Sequence, residues 1–208
     1  MYLTIKRCLD IILAIILLIL FAIPMIVVSI CIKLEDGGPI LYKSQRMGKN
    51  MIPFYIYKFR SMKTCRKELD GKMTHEDMVT KVGKVIRKTS IDELPQLFNI
   101  LKGDMSFIGP RPWILDYYQL FTPEQARRYE VLPGLTGLAQ AKGRNGISIF
   151  KKIDYDLEYV NNISFKNELK IVIDTIKTVF SKSTAEITEE GIKEELNQLR
   201  DMKNLIHQ

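Results

Sequence analysis

Two adjacent carboxylates, Asp92 and Glu93, lie in the densest cluster of potentially reactive side chains. Arg87 precedes the pair, and Arg111 follows it between two prolines that stiffen its backbone. A carboxylate nucleophile beside cations and a divalent metal is a workable design for phosphoryl transfer, because positioning and charge neutralisation supply most of that catalysis. Mg²⁺ would bind such a site through one or two carboxylates and substrate oxygens.

The same carboxylates also have a structural interpretation. Ser90 and Glu93 have the spacing of a capping box, at the start of a helix expected at about 92–101. Alternatively Asp92 is itself the N-cap, which places Pro95 in the first turn, where a proline costs little. A helix N-terminus also attracts phosphate, so capping and phosphate chemistry both stay open on spacing alone.

Two further basic clusters accompany strand and turn signals. The segment KFRSM begins at Lys58, and KGRNG, which contains Arg144 and Asn145, follows the turn signal PGLTG. Each cluster alone is weak, since a solvated basic loop is the usual explanation. The sequence contains neither a P-loop nor a dinucleotide-binding GxGxxG after a strand, so ordinary nucleotide-binding folds are not indicated.

The cysteines and histidines are too few and too scattered for metal or disulfide chemistry. Cys8, Cys31 and Cys65 form no CxxC pair, and His75 and His207 are far apart. We therefore expect neither a zinc site nor a disulfide framework. Any chemistry must depend on carboxylates, arginines and lysines.

Residues 11–32 form an apolar run without a charge that is long enough to cross a bilayer. The run ends in charged residues rather than at a small-residue cleavage site, which argues against a signal peptide. Pro24 lies inside it, and an interior proline kinks a helix. Lys6, Arg7 and Lys33 flank both ends, so charge bias gives no clear orientation. A plain spanning helix and a kinked helix that returns to the same face both remain open.

The rest of the chain has the pattern of a mixed, mostly helical domain. Short strands are expected at about 40–42 and 51–59, around a turn. Periodicity predicts further helices at about 76–87, 113–120, 123–130, 152–160, 168–180 and 188–208. The last of these has one apolar side, and we expect a peripheral helix rather than a packing seam.

The chain is basic, with a formal net charge of +7 and a sequence pI near 9.2. The positive charge is concentrated in residues 1–180, because acidic residues outnumber basic ones after that point. Such a balance indicates anionic partners: phosphorylated substrates, acidic lipids or nucleic acid. The apolar segment favours lipid headgroups and phosphates.

Together these segments resemble the bacterial sugar transferases, the small monotopic phosphoglycosyl transferases. The resemblance runs from Lys6 to about Phe180. Its motifs occur in the family's order: GPILYKSQRMG, YKFRSM, TSIDELPQLFNILKGDMSFIGPRP, PGLTGLAQ, GRN and DLEYVNNISFKNELKI. So many motifs in one order are far more specific than any single one.

The resemblance implies a two-step reaction with a UDP-sugar and polyprenyl (undecaprenyl) phosphate. In the first step Asp92 attacks the sugar-linked phosphorus and UMP leaves; in the second, polyprenyl phosphate takes the phosphosugar from the enzyme. Glu93 is implied as the ligand of Mg²⁺. Substrate-binding roles are implied for Lys58, Arg87, Arg111, Arg144, Asn145 and Glu168.

The resemblance also implies the architecture: an α/β, mostly helical, monotopic membrane protein. Residues 1–36 would form a re-entrant helix broken at Pro24, and 37–182 a catalytic domain on the cytoplasmic face of the bacterial inner membrane. Residues 183–208 would be the peripheral helix. The sequence departs from the family at Ile23, where a serine is usual, so the hydroxyl that could bond a freed backbone group is missing.

Two other functions stay open. One is a membrane-tethered binding module whose basic face holds acidic lipid or nucleic acid without chemistry, and the other is a one-step transferase in which Asp92 only holds metal. The partners expected are a UDP-sugar, polyprenyl phosphate and membrane lipids, not nucleic acid. The oligomeric state and the transferred sugar are not specified by any residue pattern.

Overall fold

A computed structural model describes residues 2–63, 77–143, 146–180 and 189–206. Packing divides the chain into two compact units that interleave in sequence. The first unit comprises Met1–Cys8, Gln45–Phe54 and Gly103–Gln208, and the second comprises Leu9–Ser44 and Tyr55–Lys102. This division by packing does not test the predicted boundaries at 36/37 and 182/183, which stay predictions.

The N-terminal apolar segment folds into two helices, α1 (Tyr2–Leu20) and α2 (Ala22–Asp36), bent by 61° at Phe21. Within the described ranges no individual helix has the length and apolar character to cross a membrane, although the bent pair has both when taken together. The predicted kink is present, but it lies one turn before Pro24. The proline ring clashes with the carbonyl four residues earlier, that of Leu20, so the helix breaks there.

A two-stranded sheet is followed by two helices between residues 41 and 102. Strands β1 (Leu41–Met47) and β2 (Pro53–Phe59) pair, and helices α3 (Lys81–Lys88) and α4 (Gln96–Lys102) follow. Helix α3 begins later than predicted because the Thr80 side chain caps it, accepting from the Gly83 N–H. The predicted start near residue 76 lies outside the described residues.

The first unit contains a parallel strand pair that the sequence patterns did not indicate. Strand β3 (Ser106–Ile108) runs parallel to β4 (Gly134–Thr136). A Cβ on Gly134 would lie 2.2 Å from the Gly109 nitrogen, and one on Gly137 would lie 2.1 Å from the Gly109 oxygen. The glycines of PGLTG therefore permit this close backbone approach.

Within its described residues the first unit also contains six α-helices: α5 (Leu115–Tyr118), α6 (Pro123–Ala126), α7 (Leu138–Gly143), α8 (Ile149–Asn161), α9 (Phe165–Phe180) and α10 (Glu189–Ile206). Helix α10 is not peripheral. Leu199 is fully buried in a core with Phe121 and Ile153, and the Glu195 carboxylate accepts a 2.6 Å hydrogen bond from the Ile149 N–H. Its apolar side is a packing seam, the alternative that the sequence left open.

Candidate active site

Asp92 and Glu93 lie in a 3₁₀ turn, Ile91–Glu93, between α3 and α4. The residues on either side of the pair, Ile91 and Leu94, pack against a core that contains Ile32 of α2. Both carboxylates are half-buried. The two apolar neighbours therefore hold the turn against the core, while the acids remain partly exposed to solvent.

Neither predicted capping arrangement is present. Ser90 has φ +58° and its side chain makes no cap hydrogen bond, and α4 begins at Gln96 rather than at Asp92. A positive φ is uncommon for a residue other than glycine. Pro95, which has no N–H to donate, precedes the first residue of α4. The two acids are therefore free of the capping role that the spacing suggested.

Cations from two elements accompany the acids. Lys58 of β2 donates a 2.6 Å hydrogen bond from Nζ to Glu93 Oε1. Arg87 of α3 donates from Nε to Ser61 Oγ at 2.8 Å. The structure thus brings together four of the predicted site residues within the second unit.

Burial raises the pKa of the Asp92 carboxyl above its ordinary value. The charges of Lys58 and Arg87 act in the opposite direction, and the neighbouring Glu93 adds to the increase. A carboxylate that is poorly solvated and close to cations has the electrostatic character of a functional group.

Removing the Lys58 charge gives a test of this environment. Because Lys58 lowers the Asp92 pKa, Lys58→Met should raise it further. If ionised Asp92 carries the reaction, activity is lost as pH falls through this pKa, so the acid limb of the kcat/KM profile should move to higher pH. Lys63→Met, outside the hydrogen-bonded site, is the control and should leave the limb unchanged. An acid limb at the same pH in both variants would contradict the assignment.

Two contacts that the sequence did not indicate hold the site elements in register. The buried Asn99 side chain of α4 accepts from the Tyr57 N–H at 3.0 Å and donates to the Tyr55 carbonyl at 2.7 Å. The Asn99 amide therefore pairs with backbone donor and acceptor groups of β2, as a neighbouring strand would. This fixes Lys58, the next residue of β2, relative to the helix that follows Asp92.

The end of α2 holds the helix that carries Arg87. The Glu35 carboxylate accepts from the Lys81 N–H at 2.6 Å and the Val82 N–H at 3.1 Å, at the N-terminus of α3. The next residue, Asp36, forms an ion pair with Arg60. Arg60 is buried, so this member of the KFRSM cluster is structural rather than part of a solvated basic loop.

Arg111 follows β3 in the first unit. Its backbone carbonyl accepts a 2.7 Å hydrogen bond from Arg128, which is fully buried and bonded to Asp156 at 2.6 Å. The Arg128 guanidinium also lies 4.6 Å from the Trp113 ring centre. The buried Arg128 therefore fixes the backbone of Arg111, while the Arg111 side chain is exposed.

Lys152 of α8 is a cation that the sequence patterns did not single out. Its pKa is lowered, chiefly by burial and also by the positive charge of Arg111, while Glu195 acts in the opposite direction. The Asp156 carboxylate acts in the same direction as Glu195, so Lys152 lies in the field of one cation and two acids. Lys152 is therefore an electrostatic neighbour of Arg111.

Glu168 anchors the N-terminal end of α1. Its carboxylate accepts hydrogen bonds from Tyr2 Oη at 2.7 Å, Lys6 Nζ at 3.1 Å and Tyr159 Oη at 2.6 Å, and it is 6% exposed. The structure shows this anchoring contact, and the substrate-binding role of Glu168 stays a prediction. Arg144 and Asn145 lie outside the described residues, so their predicted roles also stay predictions.

Sequence comparison places the chain in a known class of protein. The chain belongs to the bacterial sugar transferase family, whose model matches residues 1–182. It is 46% identical over 174 residues to the "uncharacterized sugar transferase EpsL" of Bacillus subtilis (strain 168), covering 84% of this chain and 86% of the relative.

Two relatives have names that state a reaction. The UDP-glucose:undecaprenyl-phosphate glucose-1-phosphate transferase of Caulobacter vibrioides is 41% identical over 191 residues, covering 86% of this chain and 71% of the relative. The UDP-N-acetylgalactosamine-undecaprenyl-phosphate N-acetylgalactosaminephosphotransferase of Aeromonas hydrophila is 43% identical over 192 residues. The match covers 86% of this chain but only 44% of that longer relative.

Proposed function

We propose that this family member is a phosphotransferase that moves a sugar 1-phosphate from a UDP-sugar to undecaprenyl phosphate. The names of the Caulobacter and Aeromonas relatives support the general reaction. The observation that carries the proposal is the half-buried Asp92–Glu93 turn with Lys58 bonded to it. Its burial and charge suit nucleophilic attack on phosphorus.

In the proposed first step an Asp92 oxygen forms a bond to the sugar-linked phosphorus, and the bond from that phosphorus to the UMP oxygen breaks. In the second step a phosphate oxygen of undecaprenyl phosphate attacks the same phosphorus. The Asp92–phosphorus bond then breaks and the carboxylate is regenerated. Arg87 and Arg111 would bind phosphate oxygens, and Arg111 offers a forked donor for this purpose.

We propose Mg²⁺ as the metal, with Glu93 as its ligand. The described residues contain no group of three or more histidine, cysteine or acidic side chains that could hold a metal. Two adjacent carboxylates nevertheless fit Mg²⁺, which commonly takes one or two carboxylates and completes its shell with substrate oxygens and water. When bound it would neutralise phosphate charge. Lys58, which bonds Glu93, would share that carboxylate with the ion.

A panel of nucleotide sugars tests the reaction. Purified protein in detergent with Mg²⁺ is given UDP-glucose, UDP-galactose or their N-acetylated forms, each with and without undecaprenyl phosphate. We expect sustained UMP release with at least one sugar only when the acceptor is present. Absence of UMP with every sugar would contradict the proposal and leave the binding module as the alternative.

The binding module and the enzyme differ in which residues they need. A module that only holds acidic lipid tolerates loss of Asp92 and weakens when its lysines are lost. The enzyme behaves in the opposite way. The half-burial of Asp92, which raises its pKa, favours the enzyme, because burying a carboxylate has no benefit for binding anionic lipid.

We propose that α1 and α2 enter the cytoplasmic membrane and return to the same face. Tyr2 and Lys6 bond to Glu168, in the unit that also contains residues 103–208. A spanning helix would carry them to the opposite side of the bilayer and break these bonds. Exposed apolar residues on both helices, including Ile19 at 74% and Ile23 at 75%, suit a lipid environment.

Cysteine labelling tests this topology. Single cysteines replace the exposed Leu3 and Pro39 in a background lacking Cys8, Cys31 and Cys65. Both should react with a membrane-impermeant maleimide only after the inner membrane is opened. The background without cysteines is the control for unspecific labelling. Reaction of the Leu3→Cys protein in intact spheroplasts would show a spanning helix, and would leave the catalytic assignment unaffected.

A further inference from the structure

An apolar crevice of about 360 Å³ lies in the second unit, across the break between α1 and α2. It is lined by Leu18, Ala22, Met25, Ile26, Ser29 and Phe98. The serine hydroxyl donates a 2.7 Å hydrogen bond to the Met25 carbonyl within its own helix. That contact satisfies the donor of the one polar side chain in the lining, so the crevice presents an almost entirely apolar surface.

Phe98 is the large apolar side chain on the exposed face of α4. It is 46% exposed, whereas its neighbours Leu97 and Asn99 are 1% and 0% exposed. A large aromatic side chain in this position offers an apolar surface that a further apolar partner would cover.

Backbone hydrogen bonds connect the first residues of α4 to the residues that follow the dyad. The Leu97 N–H donates to the Leu94 carbonyl at 3.0 Å, and the Phe98 N–H donates to the Pro95 carbonyl at 3.1 Å. Phe98 follows Asp92 by six residues. At the rise of helical backbone that separation corresponds to about 9–12 Å along the axis.

We propose that this crevice binds the part of the prenyl chain next to the phosphate of the acceptor. The inference rests on the proposed function. A lipid phosphate whose head reaches Asp92 must place its first isoprene units next to that residue, and these units need an apolar surface. The crevice lies between helices proposed to enter the membrane and the helix that follows the dyad. Its volume suits a segment of a chain rather than the whole lipid.

Truncating Phe98 tests the inference directly. In Phe98→Ala the KM for undecaprenyl phosphate should rise about fivefold to tenfold, the scale of losing a partly buried aromatic contact. The KM for the UDP-sugar serves as the internal reference. Phe165→Ala is the matched control, because Phe165 is also an exposed phenylalanine, 63% exposed, and does not line the crevice.

Filling the crevice should act in the same direction. Ala22→Trp places a large side chain in the crevice from the α2 side and should also raise the acceptor KM. Unchanged acceptor KM in both crevice variants, or an equal rise in Phe165→Ala, would overturn the proposal and assign the crevice to bulk lipid. An equal rise in the UDP-sugar KM would likewise overturn it, because the dyad turn itself would then be disturbed. A wild-type protein without UMP release would instead refute the proposed function.

Discussion

Asp92→Asn is expected to abolish turnover, with UMP release falling on the order of 10³-fold or more. The amide has nearly the same shape as the carboxylate but lacks the charge needed to attack phosphorus. Steady-state UMP release from a UDP-sugar and undecaprenyl phosphate measures the loss. If the folded variant kept even a tenth of wild-type activity, Asp92 would not be the nucleophile.

The stability of this variant separates chemistry from folding. A raised carboxyl pKa means that the folded state disfavours the ionised form relative to the unfolded chain, so above that pKa ionised Asp92 costs stability. Asp92→Asn should therefore unfold at a Tm no lower than wild type at neutral pH. Asp116→Asn, at an exposed position in α5, is the control and should change neither activity nor Tm appreciably.

Arg111→Lys is expected to weaken catalysis by about 1.5–3 kcal/mol, or about 10- to 150-fold in kcat/KM for the UDP-sugar. Lysine keeps the positive charge but loses the fork that binds two phosphate oxygens. The buried Arg128 continues to hold the backbone carbonyl of residue 111, so the loop should keep its shape.

The control for this substitution is Arg127→Lys, at a surface arginine bonded to Glu124 and Glu130. It should leave kcat/KM unchanged. An unchanged kcat/KM in folded Arg111→Lys, accompanied by a lower Tm, would show that Arg111 is structural. A kinetic loss with unchanged Tm supports phosphate binding.

The sequence predicted those features of the site that depend on local chemistry. The proline inside an apolar run predicted a bend, but the bend lies one turn before Pro24 rather than at it, because the ring obstructs the carbonyl of Leu20. The adjacent acids and Arg87 were singled out from the residues themselves, whereas Lys58, which bonds Glu93, was implied by the family resemblance. The bend was visible in the sequence because it depends on one residue type and a short spacing.

Contacts between distant segments could not be predicted in this way. Asn99 completes β2 across a separation of 42 residues, and Glu35 caps α3 across 46. No sequence pattern around Asn99 or Glu35 identifies the distant segment that each one bonds. The capping box failed for a related reason: Ser90 adopts a left-handed backbone conformation and α4 starts after Pro95, so tertiary packing overrides the local pattern.

The packing of helix α10 could not be predicted from its own sequence either. Its apolar side was visible in the sequence, but an apolar side alone cannot distinguish a helix that covers a core from one that is peripheral. The difference lies in Leu199, which is fully buried, and in the hydrogen bond from Ile149 to Glu195. Both depend on residues more than forty positions earlier in the chain.

Mass spectrometry of peptides from the reacted protein tests the central claim most directly. The protein is incubated with Mg²⁺ and the active UDP-sugar in the absence of acceptor, and then digested. We predict a mass gain equal to the sugar phosphate on the peptide containing Asp92, with one UMP released per adduct. The gain should be absent from Asp92→Asn and should disappear when undecaprenyl phosphate is added. UMP release only when both substrates are present, with no mass gain, would contradict the covalent mechanism and establish a one-step transferase.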